Sequence, residues 1–329
     1  MSTAPCVVAG VHDRGTDAAA GAAPARPARA VLALAAGLLA AVYVIRVYGP
    51  TPLMPSDFDA IWAAGRALRA GQDPYAAIQS PPWPWPLQYP LPAVLLTLPL
   101  GYLPVALARA AFAGVGTALL AWGLTRRVWW PLWMLGGGQM LAAIGSVQWT
   151  PLFAAGVVLP ALRWLWPAKP TTGAVLVAAF PDRRFLLGGV AMLAAAFTVW
   201  PTWTDGWMAA AVSAPHRPAI LRIGGFLLLL ALLRWRRPEA RQLAAIALVP
   251  LSPHIYEGLP LLLLARSRRE MLLLSGAGML GLLAGLLIPR QVGPQHNPID
   301  WLIVLFSCYL PALIMVLRRP NRTEPGGLW

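Results

Sequence analysis

Long apolar runs separated by short clusters of arginine constrain this chain more than any other feature. The run from Ala30 to Val47 is one of them. About 18–20 apolar residues suffice to cross a bilayer as a helix. Inside lipid no water meets the backbone groups, so only helices or closed barrels can span. Runs of this length select the helix. Composition points the same way: 58% of residues are apolar and 12% are charged, where a soluble domain carries about 25% charged residues.

The formal charge is +14, from 26 basic against 12 acidic residues. In a soluble protein that excess would suggest nucleic acid. Here the basic residues lie between apolar runs, as the positive-inside rule requires, so membrane lipids and no nucleic acid are the expected partners. Every basic residue except Lys169 is Arg, which reads as codon bias. The clusters are Arg126-Arg127, Arg163 with Lys169, Arg183-Arg184, Arg234 to Arg241, Arg266 to Arg269 and Arg318 to Arg322. They alternate with patches holding most of the acid and His: Asp57 to Tyr89, Asp205 to His216, His254 to Glu257 and Arg290 to Asp300. If the clusters are cytoplasmic, those patches lie outside a plasma membrane. Cys6 and Cys308 make no disulfide framework, and no Cys or His spacing suits a metal. Neither metal nor cofactor is expected.

The pattern predicts an all-α polytopic membrane protein with about eight to ten spans. They fall near 30–48, 104–125, 129–147, 149–166, 185–201, 218–233, 242–257, 271–289 and 301–317. Residues 1–28 read as a disordered cytoplasmic tail, 29–319 as one transmembrane domain and 320–329 as a second cytoplasmic tail. Leu91–Tyr102, Thr171–Phe180 and Leu259–Ala265 are too short to cross and read as re-entrant or broken helices. No internal repeat suggests an inverted-repeat transporter.

The first external loop, 49–90, is the least membrane-like stretch. Ser56 is a good N-cap. Phe58, Ile61, Trp62, Gly65 and Leu68 or Arg69 keep helical spacing, and Gly71 is placed to end the helix. Residues 57–70 are therefore expected as an amphipathic surface helix with Asp57 at its positive end. That position stabilises a carboxylate by about 0.3–1 kcal/mol. Asp57 is either a cap without chemistry or a carboxylate placed to take a proton at the membrane surface. Asp59 suits a solvated acid, and Asp73 suits turn chemistry before Pro74. Trp83-Pro84-Trp85 suits interface anchoring or stacking on a sugar.

Asp57-Phe58, Ala63-Ala64, Gly71-Gln72-Asp73-Pro74-Tyr75, Tyr89-Pro90-x-Pro92, Leu98-Pro99-Leu100 and Leu103-Pro104 resemble the start of family 87 glycosyltransferases. These are DUF2029-type membrane proteins of the GT-C superfamily. Gly145-x-x-Gln148, Lys169-Pro170 and Leu251-Ser252-Pro253-His254-x-Tyr256 resemble later motifs of that family. The resemblance implies a GT-C-like fold and an inverting hexosyltransferase, mannose being the expected sugar. The donor would be a polyprenyl-phosphate sugar and the acceptor a lipid or glycan hydroxyl on the extracytoplasmic side. Asp57 maps onto the general base.

The expected substrate-binding residues are Arg109, His254, Asp59, Tyr75, Tyr89 and Glu257. Arg109 lies just inside a span, where a charge is costly; it binds phosphate or snorkels to the interface. His254 is a donor or second acid–base group, or a hydrogen-bonded loop side chain. Glu257, one turn on, pairs with it or serves the site. Arg217, Arg222, Arg290 and His296 read as solvated loop residues. Two other functions compete: a transporter or flippase of a lipid-linked or small polar substrate, and an inactive relative acting as a membrane partner protein.

Overall fold

The computed structural model describes residues 25–49, 55–79, 83–213, 216–288 and 298–322. Residues 1–24 of the expected tail lie outside them, as do 323–329. Every described element is a helix. α1 (Arg26–Tyr48) is followed by α2 (Asp57–Arg69), α3 (Pro74–Ala77) and α4 (Leu91–Thr97). α5 (Val105–Leu124) then runs antiparallel to α1: Arg29 at the start of one donates to the Trp122 carbonyl at the end of the other, 2.9 Å. The two helices meet at Gly37 and Gly114. A Cβ on Gly37 would sit 2.7 Å from the Gly114 carbonyl oxygen. Small residues that let backbones approach are how lipid-immersed helices pack.

Next come α6 (Gly138–Gly145), α7 (Thr150–Val158), α8 (Pro170–Ala179), α9 (Arg183–Val199), α10 (Trp203–Ser213), α11 (Pro238–Leu248) and α12 (Arg268–Leu287). A last helix over Pro298–Leu317 is built of α13 (Pro298–Val304), a π turn and α14 (Leu310–Leu317). Among the described residues, four helices are long and apolar enough to cross a membrane: α1, α5, α12 and Pro298–Leu317. α9 and α10, bent by 107°, make a fifth if they count as one span. Val31, Leu34 and Leu38 on α1, and Leu273, Leu280 and Leu287 on α12, stand exposed. Apolar surface of that extent needs lipid against it. The protein is an all-α, multi-pass membrane protein.

Eight to ten spans were expected, and the difference has a physical cause. Prolines and glycines cut the other runs into short helices and 3₁₀ segments. The run at 129–147 divides at Gly136–Gly138, between a 3₁₀ segment (Trp130–Gly136) and α6. That at 149–166 divides at Leu159 into α7 and a 3₁₀ segment, Pro160–Ala168. The run at 242–257 divides after Leu248, and a 3₁₀ segment follows at Ile255–Leu264. The run at 218–233 becomes 3₁₀ over Gly225–Arg234. A proline lacks the N–H an interior position must donate but fits a first turn, so new helices carry Pro151, Pro170 and Pro238 in their first turns.

These short pieces form hairpins. α7 leads to Val158, whose carbonyl accepts from Arg126, 3.4 Å. Pro160–Ala168 packs back on α7 and returns the chain to Lys169, 3.2 Å from the Gln148 side-chain oxygen. α8 leads away again, and Arg241 caps the Ala178 and Ala179 carbonyls, both at 3.0 Å. The pairing of Lys169 with Arg163 as one cytoplasmic cluster is therefore corrected. A half-length hairpin carries Lys169 away from the arginines and beside Gln148.

Candidate functional site

α2 begins as its sequence predicts, with Ser56 as N-cap and Asp57 in the first position. Phe58 and Ile61 are fully buried, and Phe58 stacks on Phe112 of α5, ring centroids 4.8 Å apart. Asp59 reaches back to the Ser56 N–H and accepts its hydroxyl, each at 2.8 Å. Arg109 then closes on the same carboxylate with two hydrogen bonds of 2.6 and 2.5 Å. Four donors thus occupy Asp59. The pair is buried, Arg109 at 1% exposure and under the Tyr48 ring. This corrects two expectations. Asp59 is not a solvated acid, and Arg109 neither snorkels nor faces the Asp57 cluster. Together they pin the N-terminus of α2 to α5 and so position Asp57.

Asp57 itself is partly exposed. Among the described residues, both hydrogen bonds it accepts fall on Oδ2, from the Gln148 amide and from the Tyr256 hydroxyl at 3.2 Å. Gln148 is aimed by an unusual backbone. Val147, just past α6, has φ of +52°, a conformation strained for a β-branched side chain. The Gln148 N–H returns to the Ala143 carbonyl, 2.9 Å, so α6 ends in a Schellman turn where glycine would be usual. Strain of this kind clusters at functional sites.

The ring of contacts continues from Gln148. Its side-chain oxygen accepts from Lys169 Nζ, which also donates to Glu257 Oε1 at 2.8 Å. Glu257 further accepts from Thr172 at 3.2 Å and Ser252 at 3.3 Å. Ser252 lies 3.2 Å from the Tyr256 hydroxyl, which leads back to Asp57. Six side chains therefore close a loop: Asp57, Gln148, Lys169, Glu257, Ser252 and Tyr256. Thr172 supports it from α8.

Two carboxylates and one cation make this an electronegative, largely buried cluster. Burial pushes Asp57 up to about 6, the charges of Glu257 and Asp59 adding to the effect and Lys169 and the Tyr256 hydroxyl opposing it. Tyr89, whose hydroxyl lies beside Gln148, is pushed well above its ordinary range by burial and by Asp57 and Glu257. It stays a neutral donor. A second source of positive potential comes from the backbone. α2, α7, α8 and the 255–264 segment all begin at this cluster. Helix starts carry partial positive charge and free N–H groups.

Of the residues singled out in the sequence, Asp57, Glu257 and Tyr89 meet here. Glu257 pairs with Lys169. His254 is exposed on the rim, its ring 5.2 Å from that of Tyr256. Tyr75 donates to the Tyr89 carbonyl, 3.2 Å, and packs under Gly206; it braces the loop without touching the cluster. Arg290 and His296 lie outside the described residues. Gln148, Lys169, Ser252 and Tyr256 were not expected as site residues, although each sits in a stretch that resembles a family motif. Thr172 had no signal. No protein-family model, curated protein or solved structure matches the chain.

Proposed function

We propose that the protein is a membrane hexosyltransferase with a polyprenyl-phosphate sugar as donor and a lipid or glycan hydroxyl as acceptor, working at the extracytoplasmic face. Asp57 is the general base. It takes the acceptor proton as the acceptor oxygen bonds to the sugar's anomeric carbon, and polyprenyl phosphate leaves from the opposite face. A base in that role contributes about 10²–10⁴ in rate. Lys169 has three donors, two of them occupied among the described residues, which leaves the third to meet a phosphate oxygen. Four helix starts add to the attraction for an anion.

The observation that carries this reading is convergence. Asp57, Gln148, Lys169 and Tyr256 come from four separate stretches that resemble one family, up to 199 residues apart in sequence, and they form one hydrogen-bonded cluster. A GT-C-like fold and a mannosyl donor belong to the same proposal. The test uses membranes supplied with polyprenyl-phosphomannose and a lipid acceptor. Asp57→Asn is expected to abolish transfer at unchanged expression; undiminished transfer removes Asp57 as base.

A transporter of a lipid-linked or small polar substrate is the second reading. Half-length helices that meet at buried charges favour it, since discontinuous helices build transporter sites. Proteoliposomes separate the two. Movement of the donor across the bilayer with no sugar transferred supports transport.

A further inference from the structure

Asp57 and Glu257 are joined by two hydroxyls. The contacts are Asp57 to Tyr256 at 3.2 Å, Tyr256 to Ser252 at 3.2 Å and Ser252 to Glu257 at 3.3 Å. Each oxygen–oxygen contact needs one proton between its atoms. The chain has three contacts but only two hydroxyl protons. With both carboxylates ionised, Tyr256 donates to Asp57 and Ser252 donates to Glu257. The contact between the two hydroxyls is then left without a proton, although both residues are buried. One added proton completes all three contacts, and unmade hydrogen bonds in a buried place are costly.

We propose that Glu257 is the proton store for the transfer reaction, reached from Asp57 through Tyr256 and Ser252; the inference rests on the transferase reading above. The acceptor hydroxyl gives its proton to the outer oxygen of Asp57, and a turn of the carboxylic acid brings that proton to the Oδ2 position facing Tyr256. A proton on Asp57 Oδ2 passes to the Tyr256 oxygen as the Tyr256 proton passes to Ser252 and the Ser252 proton to Glu257 Oε1. Asp57 is a carboxylate again, Glu257 is neutral, and both hydroxyls are unchanged. Lys169, its ion pair with Glu257 relaxed, turns its charge to the departing phosphate. Asp57 and Glu257 are therefore one acceptor with a base at the mouth and a store behind it. Glu257, Ser252 and Tyr256 are positioning residues, since they act through Asp57.

The charged and titratable groups around this chain set its balance. Asp57 faces Asp59 on its own helix, Lys169 ahead of α8, and Tyr256 and Glu257 from the 255–264 segment, with Tyr89 and Tyr48 close by. Arg109 neutralises Asp59. Glu257 faces Lys169, Tyr256, Tyr89 and, from the last span, Tyr309. His254 lies against the Tyr256 ring. Lys169 donates to Glu257 at 2.8 Å, so a proton arriving at Glu257 competes with that ion pair.

Two measurements on the full-length protein test the relay. Infrared titration of the carboxylic-acid band, without substrate, reads the coupling directly. Asp57→Asn and Glu257→Gln are each expected to remove or shift the band that titrates in the wild type. Ser252→Ala, which cuts the chain while keeping both acids, is expected to move its midpoint, and Ser252→Thr to restore it. An unchanged midpoint in Ser252→Ala overturns the relay, whatever the protein's activity. In the transfer assay, Ser252→Ala is expected to lower kcat roughly tenfold or more at little change in KM, with a shifted pH profile and rescue by Ser252→Thr. Failure of Ser252→Thr to rescue either readout also overturns it. A wild type that transfers no sugar while its band remains coupled removes the transferase reading and leaves the shared proton standing.

Discussion

At one end of the bundle Glu239 is gripped by arginines, and at the other Asp57 is held by an amide and a phenol. Glu239 Oε1 accepts from Arg319 at 2.9 Å, Arg266 at 3.2 Å and Arg237 at 3.3 Å. Arg319 also meets Glu270 and the Leu264 carbonyl, at 2.8 and 2.9 Å. Arg234 and Arg237 donate to the Arg319 and Pro320 carbonyls, both at 2.6 Å. Cations exceed acids there, and each guanidinium fork fixes several acceptors at once. That end is a clamp joining α11, α12 and the end of the last span. At the Asp57 end acids exceed cations, and the linking groups are hydroxyls that can give and take a proton. Both are polar clusters in an apolar protein. The difference lies in whether their protons can move.

Five predictions press on that contrast. The largest effect belongs to Asp57→Asn, with transfer down about 10²–10⁴-fold while thermal unfolding in detergent shows an intact fold. An unfolded variant would make both ends structural. Glu239→Ala is expected to do the reverse: it leaves buried arginines uncompensated and destabilises by about 3–5 kcal/mol, while the protein that remains folded keeps its activity per molecule. Arg109→Leu lies between the two. It breaks a buried pair, costs stability on a similar scale of about 3–5 kcal/mol, and lowers kcat because α2 is no longer pinned. An increase in donor KM with normal stability would instead return Arg109 to the phosphate.

The third scale is set by pH. The folded Asp57 titrates near 6, above its ordinary value of 3.8. A carboxyl raised by folding penalises the folded state when ionised. The penalty is full above about pH 6 and fades as pH falls toward 4. Asp57→Asn is therefore expected to be more stable than the wild type at pH 8, by roughly 2–3 kcal/mol, with the gain gone near pH 4. Activity in the wild type should fall as pH drops through 6. A stability gap independent of pH would sink this assignment. The smallest effect is expected at Asp182→Asn, which removes a partly exposed bridge to Arg163 of 3.1 Å and costs about 1 kcal/mol or less.

Much of the Asp57 end was legible because its signals are local. The Ser56 cap, the spacing of Phe58 and Ile61 and the stop at Gly71 specify α2 to within a residue of its observed end at Arg69. α1, α5, α12 and the last span follow from run length alone. What failed was anything that depended on where a short helix turns back. Charge alternation assigns a cluster to one side by counting crossings, so two half-length pieces between Gln148 and Lys169 misplaced Lys169. Asp59 looked solvated because its partner lies 50 residues away. Glu257 was read against its neighbour His254 because a helical turn is visible in sequence, whereas a lysine 88 residues earlier is not. Thr172 sits in an ordinary apolar helix, and only the fold brings it to Glu257.

The single lysine has one more consequence. A protein with one side-chain amine needs no mutagenesis to place a reporter. Lysine isotopically labelled at Nζ gives one side-chain resonance from the whole chain, and it comes from the middle of the Asp57 cluster. Its shift and exchange rate would follow the protonation of Glu257 and the arrival of a phosphate in real time. The rest of the cationic surface, being arginine, stays silent.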